Sequence, residues 1–131
     1  MPFDQLPQPI LDPSVRNLPP RDRLITLRDW LYAGGPGREA WDYDQWFETE
    51  TKCGTVGCAG GWYEFLTSAP ADEDYNYDFY AEEFGIDREQ VEMIFERSAE
   101  IQRPDTDWRN RSWVGPRDVA NTIDLVLHDL V

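Results

Sequence analysis

The residues with the clearest potential for chemistry are the two cysteines, Cys53 and Cys58, which lie in a ten-residue stretch without a charged side chain. A structural zinc site needs four ligands, and the only histidine, His128, lies near the far end of the chain. A thiol-redox role is a second possibility, because backbone N–H groups in the first turn of a helix stabilise a thiolate. The interpretation we favour is structural, with both thiols buried and Gly54-Thr55 forming a turn and helix cap. We therefore expect no metal, no cofactor and no catalytic residue, and we assign a structural motif to Cys53, Gly54, Thr55, Cys58, Gly61 and Trp62.

An acidic segment, residues 71–83, is the strongest candidate for a binding surface. It contains six carboxylates and no basic residue, with tyrosine and phenylalanine interleaved. Spaced carboxylates can imitate phosphates and occupy a basic groove, while aromatic rings anchor the contact. The alternative is a solvated helix face whose aromatic side chains belong to the core. The predicted partner-binding residues are Asp72, Glu73, Asp74, Tyr75, Tyr77, Asp78, Glu82 and Glu83.

The charge balance limits the classes of partner. Asp and Glu number 26 against 12 Lys and Arg, which gives a net charge of −14. Such a surface repels nucleic acids and anionic membranes and attracts basic protein surfaces. Adaptation to salt or a GC-rich genome explains the same composition equally well. No phosphate-binding loop and no serine-centred elbow motif occurs, so we expect a protein without enzymatic activity.

The elements that position these residues are predicted to be helices in one domain, which follows a proline-rich extended arm over residues 1–20. Residues 21–131 form the helical domain, and no segment shows convincing strand alternation. We therefore predict an all-α fold, a compact bundle of five or six short helices. The predicted helices are Pro20 to Ala33, Arg38 to Glu48, Thr55 to about Ser68, Tyr77 to Phe84, a helix capped by Asp87 and running to about Ala99, and one that begins near Pro116.

The cysteine stretch and two later segments resemble a family of small, mostly uncharacterised bacterial and phage proteins. The similarity includes Cys53-Gly54-Thr55 with Cys58, Phe84-Gly85-Ile86, and the stretch from Gly115-Pro116 to Leu127. Ala59 and Gly60 depart from the family pattern, which has Ile or Leu and then Ala. The resemblance implies a small helical domain in a mobile-element context, and it implies no activity or site residue.

The leading hypothesis is therefore a non-catalytic, phage-encoded interaction protein. It would bind a basic surface of a host or defence protein. The most specific version of this hypothesis is that the protein inhibits its partner by imitating a nucleic acid. A structural component of a larger assembly, docked through the arm, and a small thiol-redox or metal-binding protein are the alternatives. The chain lacks an apolar run of 18 residues and a recognisable leader, so the expected location is the cytoplasm, that of the host if the protein is viral.

Overall fold

The computed structural model describes residues 11–37, 41, 47–51, 54–57, 59–68, 77–102 and 114–129. These residues form a bundle of short helices, which confirms the predicted helical class. A small two-stranded hairpin is present in addition. The helices are a 3₁₀ helix Pro13–Asn17, α1 Pro20–Tyr32, α2 Ala59–Thr67, α3 Tyr77–Phe84, α4 Arg88–Phe95, α5 Ser98–Gln102 and α6 Pro116–Leu127, and the strands are β1 Phe47–Thr51 and β2 Gly54–Gly57.

Among the described helices, α1 and α6 form the largest helix–helix contact. Leu24, Leu27 and Leu31 recur at helical spacing along α1, and all three are fully buried. They meet the apolar stripe of α6. That stripe is buried at Val119, Ile123, Val126 and Leu127.

The connection between α3 and α4 follows its local sequence signals. Gly85 has a φ of +66°, and the Ile86 N–H donates to the Ala81 carbonyl, as in a Schellman ending. Asp87 then caps α4 through a capping box, in which its carboxylate accepts from the Gln90 N–H at 2.7 Å. The predictions for this connection, including both helix boundaries, are confirmed.

The helix predicted to run from Asp87 to about Ala99 is interrupted. α4 ends at Phe95, and α5 starts at Ser98. The buried Ser98 hydroxyl donates to the Ile94 carbonyl at 2.6 Å, which satisfies an acceptor exposed by the break.

The hairpin contradicts two further helix boundaries. Phe47 and Glu48, predicted to end a helix that starts at Arg38, lie in β1, and Thr55, predicted to cap a helix, lies in β2. The strands are antiparallel, with Thr51 paired to Gly54 and an irregular register between Glu48 and Thr51. The following helix begins only at Ala59, so the predicted start at Thr55 is wrong.

The end of the N-terminal arm packs on the bundle. Asp12 caps the 3₁₀ helix by accepting from the Ser14 N–H at 2.8 Å, so residues 13–17 are not extended as predicted. Leu11 and Val15 are buried in the main core. Residues 1–10 of the predicted arm lie outside the described residues. In the described ranges, no helix combines the length and the apolar character needed to cross a membrane.

Candidate interaction surface

Helix α3 presents two different faces. Asp78 and Glu82, four residues apart on the same face, are exposed, whereas Tyr80 and Phe84 are fully buried. The Tyr80 ring lies 5.1 Å from the Phe95 ring of α4, which fixes the orientation of α3 on the core. The exposed face of α3 is therefore the only part of the predicted binding segment that the structure both describes and leaves open to solvent.

The other predicted binding residues fall into three groups. Asp72, Glu73, Asp74 and Tyr75 lie outside the described residues. Tyr77 is half-buried at the start of α3. Glu83 differs from its prediction, because its side chain is only 5% exposed and it faces the interior rather than a partner.

Glu83 lies at the centre of a buried polar cluster that joins four elements. Its carboxylate accepts from Arg16 of the 3₁₀ helix at 3.0 Å and from Arg23 of α1 at 3.2 Å. The Tyr63 hydroxyl of α2 donates to the same carboxylate at 2.5 Å. We call Arg16, Arg23, Tyr63 and Glu83 the buried charge cluster.

Opposing effects set the ionisation of the buried charge cluster. Burial raises the pKa of a carboxyl group, but hydrogen bonds from Arg16 and Tyr63 and the two guanidinium charges outweigh burial at Glu83. The net result is a pKa below the ordinary value, so Glu83 is ionised at neutral pH. Burial and the hydrogen bond to Glu83 raise the pKa of Tyr63 well above its usual range, so its hydroxyl keeps its proton.

Helix α4 adds carboxylates that the sequence prediction did not include. Glu89 and Glu92 are three residues apart on one exposed face of α4, directly after the α3–α4 connection. Within the described part of the chain, Glu82, Glu89 and Glu92 form no ion pair. The helical spacing of Glu89 and Glu92 is visible in the sequence, but the predicted acidic segment ended at residue 83. We define the acidic face as Asp78, Glu82, Glu89 and Glu92.

Within the described ranges, the side chain of Arg88 reaches the acidic face. The Nε atom of Arg88 lies 3.2 Å from the Asp78 carboxylate, and its guanidinium carbon lies 5.7 Å from the centroid of the Tyr77 ring. Arg88 is 68% exposed and Asp78 is 75% exposed. A pair so open to water contributes little to the stability of the fold.

The arginines of the N-terminal part donate to acceptors of their own chain. Besides Arg16 and Arg23, Arg28 donates to Asp124 at 2.7 Å and Arg21 donates to the Leu127 carbonyl at 2.8 Å. These contacts tie α1 to α6 and to α3. These four guanidinium groups thus have acceptors within the protein, whereas Glu82, Glu89 and Glu92 form no ion pair within the described residues.

The cysteine motif has its two thiols outside the described residues, at Cys53 and Cys58. Trp62 is buried, but Ala59 and Tyr63 are the buried residues of α2 that belong to the main core, where the Tyr63 ring lies 4.8 Å from the Phe84 ring. His128 follows α6 and is exposed. The described residues contain no group of three or more His, Cys, Asp or Glu side chains that could hold a metal ion.

Comparisons with protein-family models, with curated proteins and with solved structures found no match. The resemblance of the cysteine motif to small bacterial and phage proteins therefore stays a prediction.

Proposed function

We propose that this protein is a non-catalytic interaction module that binds a basic surface of another protein through its acidic face. The proposal rests on one contrast. Glu82, Glu89 and Glu92 are exposed and form no ion pair within the described residues. Four arginines, in contrast, donate hydrogen bonds to acceptors of their own chain. Unpaired exposed carboxylates create a negative potential that attracts a positively charged surface. The residues proposed to bind are Asp78, Glu82, Glu89 and Glu92, with Tyr77 at the edge.

Glu83 contributes to this function only indirectly. Its bonds to Arg16 and Arg23 hold the buried side of α3 on the 3₁₀ helix and α1. The same helix carries Asp78 and Glu82 on its opposite side. The buried charge cluster thus fixes the position of the exposed carboxylates and reduces the ordering cost of binding.

A more specific version of the proposal is that the acidic face imitates a nucleic acid. This version requires carboxylates spaced like the phosphates of a DNA strand. Carboxylates four residues apart are separated by about 6 Å along a helix axis, whereas each DNA strand carries one charge about every 3.4 Å. A single helix therefore has roughly half the linear charge density of one strand. Mimicry would need α3 and α4 together, and the host or defence protein suggested by the sequence resemblance would then present a nucleic-acid-binding groove.

The test compares two variants with the same change in charge. One replaces Glu82→Gln, Glu89→Gln and Glu92→Gln on the acidic face, and the control replaces Asp22→Asn, Glu100→Gln and Asp129→Asn, which are exposed elsewhere. Binding of a fluorescent nona-arginine peptide is measured by anisotropy over a series of salt concentrations. We expect the first variant to bind about tenfold more weakly than the wild type and the control at most about twofold more weakly.

Equal losses in the two triple variants would contradict the proposal, because they would show that net charge alone attracts the peptide. A wild-type affinity that does not change with salt would contradict it as well, since exposed charges are screened over about 8–10 Å at physiological salt.

A further inference from the structure

Arg88 occupies the acidic face in a geometry that favours arginine over lysine. Its guanidinium group pairs with the Asp78 carboxylate at 3.2 Å and lies over the Tyr77 ring at 5.7 Å. A guanidinium group can combine an ion pair with stacking on an aromatic face, whereas an ammonium group acts as a compact point charge. The contact is therefore one that an arginine side chain fits better than a lysine side chain.

Stability gives little reason for an arginine at this position. Arg88 is the first residue of α4, where the partial positive charge of the helix N-terminus disfavours a cation. Its partner Asp78 is 75% exposed, so water screens their attraction. The Arg88 side chain can therefore move away from Asp78 and Tyr77 without disturbing the packing of the core.

Contacts with the core and with Glu96 hold the Tyr77 ring in place. Tyr77 is half-buried, packs on the core, and donates its hydroxyl to Glu96, the residue that follows α4. Burial, together with Glu96 and Glu92, raises the pKa of Tyr77 to about 12, so the hydroxyl stays protonated and the hydrogen bond persists at neutral pH. The ring is thus fixed beside Asp78.

We infer that Tyr77 and Asp78 form the docking position for an arginine side chain of the partner, and that Arg88 fills this position until the partner's arginine displaces it. This inference rests on the proposed function, and it adds two properties to that function. The partner must carry an arginine rather than only lysines at the contact. The chain's own Arg88 also acts as an internal competitor that lowers the affinity of the unoccupied surface.

The test removes the competitor and matches the change in charge. Arg88→Gln and Arg97→Gln each remove one exposed positive charge, and each breaks one exposed ion pair, that of Arg97 being with Glu100 at 3.1 Å. With the nona-arginine peptide, we expect the Arg88→Gln protein to bind about two- to fivefold more tightly than the Arg97→Gln protein. A nona-lysine peptide should show a smaller difference between the two variants.

A third variant examines the ring. Tyr77→Leu, with folding checked by circular dichroism, should lose most of the preference for the arginine peptide over the lysine peptide. Equal affinities of the Arg88→Gln and Arg97→Gln proteins, or weaker binding by Arg88→Gln, would overturn the inference. The proposed function would survive that outcome as long as the two triple variants differ, because that comparison does not involve Arg88.

Discussion

At the scale of single residues, Glu83 connects α3 to three other elements of the fold. It is a buried carboxylate with three hydrogen-bond donors, and two of them are cations from elements that precede it in the chain. Glu83→Gln would leave the Arg16 and Arg23 charges beside a neutral amide. We expect a loss of about 2–3 kcal/mol in the free energy of unfolding, less than for a fully buried pair, because Arg16 is 33% exposed and Arg23 is 19% exposed. Urea denaturation measures this loss.

The neighbouring residue supplies the control. Glu82→Gln makes the same chemical change one position earlier, on the exposed face of α3, and should alter stability by less than about 0.5 kcal/mol. Similar losses for the two variants would show that the buried charge cluster adds no net stability to the fold.

Sequence reasoning could not separate Glu82 from Glu83. Both lie in a segment without basic residues, so both look like surface carboxylates. The difference comes from Arg16, 67 residues earlier in the chain, and from Tyr63. The pattern around one residue contains no information about such distant partners.

At the scale of elements, the predictions succeeded where the signal is local. Proline at the first turn predicted the starts of α1 and α6, and glycine after the last turn predicted the ends of α1 and α3. They failed at β1, where threonine alternates with glutamate in a stretch too polar to resemble a half-buried strand. They also failed at the α4–α5 break, since the apolar spacing continues through it.

The connection between α3 and α4 depends on a glycine for two reasons. Gly85 has a φ of +66°, and a Cβ atom there would lie 3.1 Å from the Cβ of Pro20. Gly85→Ala should therefore cost about 1–2 kcal/mol for the left-handed backbone, and more for the contact with α1. Gly37→Ala is the matched control, because Gly37 has a φ of +90° with open space around it. Thermal unfolding should show the larger loss for Gly85→Ala, and equal losses would mean that Pro20 moves away freely.

At the scale of the whole molecule, two electrostatic effects oppose one another as the pH falls. A net charge of −14 causes self-repulsion in the folded state, and protonation of exposed carboxylates relieves it. The buried charge cluster acts in the other direction, because it requires an ionised Glu83 to balance Arg16 and Arg23. Stability should therefore pass through a maximum in mildly acidic solution.

The direction in which stability changes at acidic pH follows from the pKa of Glu83, which is lowered from an ordinary value of 4.5. A group with a lowered pKa in the folded state stabilises the fold above its unfolded pKa, and this contribution is lost as the pH falls through the folded value. We expect the melting temperature of the wild type to rise slightly between about pH 7 and about pH 5, and then to fall below about pH 4.5. The Glu83→Gln protein should keep the rise, which comes from surface charge, but lose most of the fall. Parallel curves for the two proteins below about pH 4.5 would assign the acid loss to other carboxylates.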